Sequence, residues 1–576
     1  ALATNAPQSG PLILSDFNEV HDMTRILRTN MSVAIDDLRL VEEDMGLADG
    51  NVLQFFGIQL LDGDINSALS KPGSLIVSKS TAEKYFGEKN PIGQQILLSG
   101  SYLATVTGVF EDLPRNTHIK LNAIAPIRLI VELYGERELE NWGANSYYTY
   151  IKVDDNFNPS SFTEKLPEFI DKHLAKNAHE WTAMSIQKLT DIHLYSNKQM
   201  EFSQNGSIGV VITFISIAFC VLLIACINFI NLSTARSILR AKEVGVRKAL
   251  GADKIQLIIQ FLCESILLTT IAMILALGMA EWLTPHFAKL IDRNVSLDTF
   301  VNVKGALIVL FSILVVGALA GSYPALYLSR FNPVTVLRGK TSGSSSTAIV
   351  RKFLVVFQFT ISICLIIATV IIYSQLQYVK NTELGYDREN NIISTMPRNL
   401  PLWETYLPFK EQLLQHGSIS SVTLSSRVPT NDLLDGSLYY SADLPAVEES
   451  FRDLRDVKVG YSFFEHYGID LVAGRFFSQD FDDINVNPDE ETEQRNNFGN
   501  IIINESALSK LGFTDPGTAL GKIIVQVNSS SKKSVRWAIV GVVKDINFAS
   551  MRAEKGAIAF TPITSYDQKI VSIKYK

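Results

Sequence analysis

Four uninterrupted apolar runs punctuate the middle of the chain: Ile208 to Ile230, Leu257 to about Trp282, Val303 to about Leu328, and Phe353 to Tyr373. Each is long enough to cross a bilayer as a helix, which takes about 20 residues rising about 1.5 Å apiece. The flanking regions carry a different rhythm. Leu75 to Ser78 and Tyr102 to Val109 read as strands, S-T-A-E-K-Y-F and E-S-A-L-S-K-L predict short helices, and glycines mark the turns between them. The fold class that follows is α+β, a helical transmembrane bundle with two large mixed α/β soluble domains. The expected boundaries are 1–206 for the first soluble domain, 207–337 for three spans, 338–352 for a linker, 353–378 for a fourth span and 379–576 for the second soluble domain.

The two soluble domains repeat each other. Phe55 to Gly63 echoes His466 to Gly474, and Leu75 to Ala82 echoes Ile501 to Leu508. Downstream, Asn90 to Ile96 matches Thr518 to Ile524, and Ala104 to Val109 matches Ala538 to Val543. Blocks kept in one order predict a duplicated domain. The alignment also leaves Tyr150 to Val153 followed by spans and the matching Ser572 to Tyr575 at the chain's end. An eight-span parent of two similar halves is therefore expected, and the sequence reads as incomplete at both ends.

Composition fits a membrane protein with large soluble parts: 47% of the 576 residues are hydrophobic. The net charge of -7 conceals a segregation. Arg236, Arg240, Lys242, Arg247, Lys248 and Lys254 crowd the segment 231–260, opposed there only by Glu243 and Asp253. Arg330, Arg338, Lys340, Arg351 and Lys352 form a second basic cluster, whereas 288–302 is balanced. Basic loops stay on the cytoplasmic side, so both soluble domains are expected outside. Basic residues beside spans, with no aromatic interleaving, argue against a nucleic-acid partner. All four cysteines, Cys220, Cys226, Cys263 and Cys364, lie in apolar runs, which leaves the compartment undecided.

Within the spans, Asn228 and Asn231 are candidates for interhelical hydrogen bonds. Glu264 is a helix-end acid or a hinge residue, and Gly317, Gly321 and Pro324 favour close packing and a kink. Enzyme chemistry finds little support. Gly339-Lys340-Thr341 has Val334 where a phosphate-binding loop needs glycine, and His179-Glu180 is followed by Ala183 where a zinc-protease helix needs histidine. No catalytic residue, metal site or cofactor is assigned, and the acidic stretch Asn487 to Glu493 lacks the ordered acids of a calcium loop.

R-A-K-E-V-G-V-R-K-A-L-G-A, Arg240 to Ala252, resembles the cytoplasmic segment of FtsX/MacB-type ABC transporter permeases. Ser322 to Gly339 is similar to the segment closing their third core span, and the repeats are similar to the MacB-like periplasmic core domain. The arrangement looks like the fused double permeases of Bacteroidetes-like bacteria, and departs from simpler four-span members that pair as homodimers. The resemblance implies a coupling helix seated on a separate MacB- or LolD-like ATPase subunit, with contacts at Lys242, Glu243, Val244, Gly245, Val246, Arg247, Lys248, Ala249, Leu250, Gly251 and Ala252. Helical character broken at Gly245 and an apolar surface from Val244, Val246, Ala249 and Leu250 fit that role; a solvated basic loop is the alternative. Membrane lipids, a periplasmic adaptor and an outer-membrane channel are the other implied partners.

The expected function is thus a non-catalytic permease subunit that couples a partner's ATP hydrolysis to periplasmic movement, exporting or extruding a peptide, drug or lipid-type cargo. An FtsX-like relay to a periplasmic cell-wall hydrolase is the second reading, and a membrane-tethered binding protein without an ATPase the third.

Overall fold

The computed structural model describes all residues except 37, 101, 115, 291–294, 296, 298–301, 330–344, 383, 397–401, 432, 434–435, 444–450, 482–497, 528–533, 549–555 and 564–568. Contacts gather the chain into two units, one made of Ala1–Gly206 and Asn381–Lys576, the other of Ser207–Lys380.

The first soluble region contains helices α1 (Ser9–Asp16), α2 (Val52–Phe56), α3 (Lys79–Phe86), α4 (Leu129–Tyr134), α5 (Pro159–His173) and α6 (Ile192–Tyr195). Its strands are β1 (Val20–Ile35), β2 (Leu38–Ala48), β3 (Leu60–Gly63), β4 (Ser74–Ser78), β5 (Gln95–Leu98), β6 (Tyr102–Phe110), β7 (Ala123–Pro126) and β8 (Tyr147–Val153). Pairing runs β2-β7-β4-β6-β5-β1-β8, and β1 also pairs with β2, which closes β1, β2, β7, β4, β6 and β5 into a ring. β4, buried along its length, carries the apolar run of a strand covered on both faces.

The apolar runs form α7 (Ile208–Ala249), α8 (Lys254–Leu290), α9 (Val303–Leu328) and α10 (Ser345–Asn381). All four are long and apolar enough to cross a membrane. One expectation is corrected here. The segment 231–260, read as a loop with a break at Gly245, is mostly helix: α7, 42 residues long in all, runs through Gly245 to Ala249. Tertiary packing accounts for this, because Val244 and Gly245 are buried and Val244 joins Leu257, Phe261 and Ala325 in one apolar cluster. That burial outweighs the cost of about 1 kcal/mol for a helical glycine. α10 begins at Ser345, within the segment read as a linker; residues 338–344, Asn487 to Glu493 and most of 288–302 lie outside the described residues.

The second soluble region adds α11 (Leu402–Leu414), α12 (Phe463–His466), α13 (Glu505–Lys510) and α14 (Pro516–Ala519). Its strands are β9 (Asn391–Met396), β10 (Ile419–Ser425), β11 (Gly436–Ser441), β12 (Arg452–Val459), β13 (Leu471–Gly474), β14 (Phe498–Asn504), β15 (Ile523–Val527), β16 (Ser534–Val543), β17 (Ile558–Pro562) and β18 (Lys569–Tyr575). Here β11, β15, β16, β14, β17 and β12 close the same kind of ring. The long β1 of the first region corresponds to two strands, β10 and β11.

Local chemistry repeats along with topology. Ser78 caps α3 by accepting from the Thr81 amide, and Asn504 caps α13 by accepting from the Ala507 amide. Asp112 accepts from the Ser80 amide and hydroxyl at 3.1 and 2.7 Å, and Asp545 does the same for Ser506 at 2.9 and 2.7 Å. Gly63 and Gly474 both hold positive φ, and a Cβ would sit 2.5 Å from Thr107 O or 2.3 Å from Val540 O. The two regions solve the same backbone problems at matching positions, as expected of a duplication.

Candidate functional site

The turn between α7 and α8 is built by helix-end chemistry. The Gly251 amide donates to Lys248 O at 3.1 Å and the Ala252 amide to Arg247 O at 3.0 Å, the paired bonds of a Schellman motif. Gly251 has φ +97, a conformation that other residues resist. One residue later α8 is prepared: Gln256 Oε1 accepts from the Asp253 amide at 3.2 Å, the reciprocal half of a capping box. Two long helices are thereby joined by a short turn fixed at both ends.

The segment Lys242 to Ala252 divides into two faces. Outward lie Glu243, Val246, Ala249, Leu250 and Gly251; Leu250 is 83% exposed and Val246 47%. Inward lie Val244, which is 1% exposed, and Gly245. Val244 therefore does not belong to the apolar surface assigned to it from sequence. Helical geometry is the cause, since its position on α7 meets Ala325 of α9 and Leu257 of α8. Arg247 is held by Glu243 at 2.7 Å and Gln260 at 2.9 Å. Lys248 Nζ donates to Ser329 O at 2.6 Å, just beyond the end of α9. Ala252 is half-buried, and the side chain of Lys242 lies outside the described residues.

The span residues separate likewise. Gly321 is buried where a Cβ would sit 2.6 Å from Ser265 Oγ, and at Gly317 a Cβ would sit 3.0 Å from Ile266 Cα, so α8 and α9 touch nearly backbone to backbone. α9 continues through the buried Pro324 to Leu328. Glu264 is half-buried on α8. Asn228 has an exposed side chain, and among the described residues no interhelical bond is assigned to it; Asn231 Oδ1 is buried without a partner.

The first soluble region contains a cleft of about 1010 Å³. Phe55, Phe56, Trp142, Tyr150, Trp181 and Phe202 line it. These aromatics come from separate segments, so no motif joined them. His118 Nε2 lies 2.9 Å from Tyr150 Oη, and burial holds the imidazole below its usual range against the opposing pull of Glu201. Ser196 Oγ donates to Glu201, fixing that carboxylate in the wall. The second soluble region has a smaller cavity of about 650 Å³ bordered by Tyr406, Lys410 and Glu465. Among the described residues no group of three or more His, Cys, Asp or Glu side chains could hold a metal ion.

Residues 14–169 match the model of the MacB-like periplasmic core domain, and residues 215–333 match the FtsX-like permease C-terminal model. The second match spans most of α7, the turn, α8, α9 and the residues just beyond. A Bdellovibrio bacteriovorus protein named macrolide export ATP-binding/permease protein MacB is 24% identical over 269 residues, 46% of this chain and 38% of that protein. The Bacillus subtilis ABC transporter permease YknZ is 24% identical over 267 residues, 46% of this chain and 61% of that protein. The chain thus spans less than two thirds of the length of either relative. A crystallised permease domain from Porphyromonas gingivalis is 28% identical, covering 30% of this chain and 79% of that one with a TM-score of 0.27. For the periplasmic region of MacB from Actinobacillus actinomycetemcomitans the identity is 16%, the coverage 30% and 77%, and the TM-score 0.24.

Proposed function

The chain is a permease of the FtsX/MacB type, and on that premise we propose that it is the membrane subunit through which a separate ABC ATPase drives movement of the two soluble domains. The observation that carries this is the α7–α8 turn. A leucine 83% exposed, on a turn locked by a positive-φ glycine and flanked by Arg247 and Lys254, is an apolar knob held rigidly among charges. Such a knob suits insertion into a groove on a soluble partner. The basic flank favours the cytoplasmic side, with both soluble domains periplasmic and the chain in the bacterial inner membrane.

Cargo handling is preferred over a pure relay to a cell-wall hydrolase because of the aromatic cleft in the first soluble domain. Its volume suits a drug-sized ligand, or a segment of peptide or lipid. ATP hydrolysis is assigned to the partner chain, and an adaptor and outer-membrane channel would complete an export route. The test is Leu250→Glu in the full-length protein. Copurification of the ATPase should be lost while membrane insertion persists; undiminished copurification would remove the docking assignment.

A further inference from the structure

Val244 and Lys248 fall inside the segment assigned to ATPase contact, yet both are turned toward the membrane helices. Lys248 Nζ donates to Ser329 O at 2.6 Å, and Ser329 is itself 1% exposed with its amide donating to Ala325 O at 3.1 Å. The last carbonyls of a helix lack intrahelical donors and carry its negative dipole end. An ammonium placed there makes a charge-assisted bond, stronger than one between neutral groups. One turn earlier on α7, Val244 packs on Ala325, which is 0% exposed, and on Leu257 and Phe261 of α8. Gly317 and Gly321 then bring α9 close against Ile266 and Ser265 of α8.

From this geometry we infer that Lys248 is a positioning residue that latches the docking turn to the end of α9, so that displacement of the turn is delivered to the third span as well as to α7 and α8. Val244 supplies the apolar seat beneath the latch. Without the Lys248 bond, α9 would follow the turn through the apolar packing of α9 on α7 and α8 alone. Docking and transmission are then separate functions of adjacent residues: Leu250 meets the partner, and Lys248 holds the span that must move. The inference rests on the coupling role proposed above, and its test keeps the two apart.

The test uses the full-length permease reconstituted with its ATPase in proteoliposomes, comparing Lys248→Met, Lys248→Arg and Leu250→Glu. Methionine keeps an unbranched apolar stem and removes the ammonium. Lys248→Met should copurify the ATPase as well as the parent does while permease-stimulated ATP hydrolysis falls about tenfold, the scale of one lost hydrogen bond to a charged group. Lys248→Arg, which retains a charged donor, should recover most of that stimulation. Thermal stability in detergent, measured alongside, separates loss of the latch from loss of the fold. If Lys248→Met lost the ATPase as Leu250→Glu does, Lys248 would be a docking contact; if it retained full stimulation, the bond would be idle. Either result overturns the latch. Retained copurification by Leu250→Glu would instead undo the coupling role itself.

Discussion

Gly321→Ala adds one methyl group where α8 and α9 are closest, and the structure fixes what it would meet. The new carbon would sit 2.6 Å from Ser265 Oγ and 2.7 Å from Ser265 Cβ, whereas unstrained contacts between carbons lie near 3.5–4.0 Å. The helices must therefore part by about 1 Å, and overpacking of this kind costs about 1–3 kcal/mol. Ser265 Oγ already donates to Phe261 O at 2.9 Å within its own helix, so no bond between the helices is involved and the cost is steric. A double-mutant cycle isolates it. Ser265→Gly in the Gly321→Ala background removes both clashing atoms and should return most of the lost stability, giving a coupling energy of about 1 kcal/mol or more. The assay is the temperature at which the detergent-solubilised protein loses its monodisperse chromatographic peak. Gly321→Ala should lower it by several degrees and the double variant should rise above that single variant. A Gly321→Ala protein as heat-resistant as the parent would refute the close approach of α8 and α9.

Two further perturbations address the soluble domains. His466, 2% exposed, has Ser421 Oγ 2.7 Å from Nδ1 and Asn391 Oδ1 2.8 Å from Nε2; burial, with Lys574 and Lys410 nearby and Asp387 opposing, lowers its pKa to about 4. The unfolded chain takes up the proton first as pH falls, so this contribution is full above about 6.5, drains between about 6.5 and 4, and has lost about 2 kcal/mol by about pH 5. Hydrogen exchange at β10 and β18, corrected for intrinsic rates, should show that loss, and His466→Gln should flatten it. Arg25 binds Asp49 through Nε at 2.9 Å and Nη2 at 2.8 Å, with side chains only 11% and 16% exposed. Asp49→Ala strands that guanidinium beside the lone Pro7 carbonyl that Nη1 also reaches, and should cost about 3–5 kcal/mol, read as faster limited proteolysis of the first soluble domain.

The parts legible from sequence were those written in local periodicity. Apolar runs gave the spans, Val303 to about Leu328 corresponding to α9, and the paired blocks foretold a duplicated domain, which the structure builds as two rings of strands. What escaped depended on contacts far apart in the chain. Gly245 looked like a helix break because its cost is local, while the gain that offsets it comes from Val244 meeting Ala325, eighty-one positions on. Lys248 was read as one more contact of the coupling segment, since nothing beside it announces the carbonyl of Ser329. The aromatic cleft was invisible for the same reason, assembled as it is from residues as distant as Phe55 and Phe202.

The coupling role proposed for the α7–α8 turn is tested in living cells by a photoreactive amino acid at position 250 of the full-length chain. Leu250 is 83% exposed, so the substitution should be tolerated. Irradiation should yield a crosslink to an ATP-binding protein, absent when the reactive group sits at the buried position of Val244. Crosslinks confined to lipid or to periplasmic proteins would contradict the account.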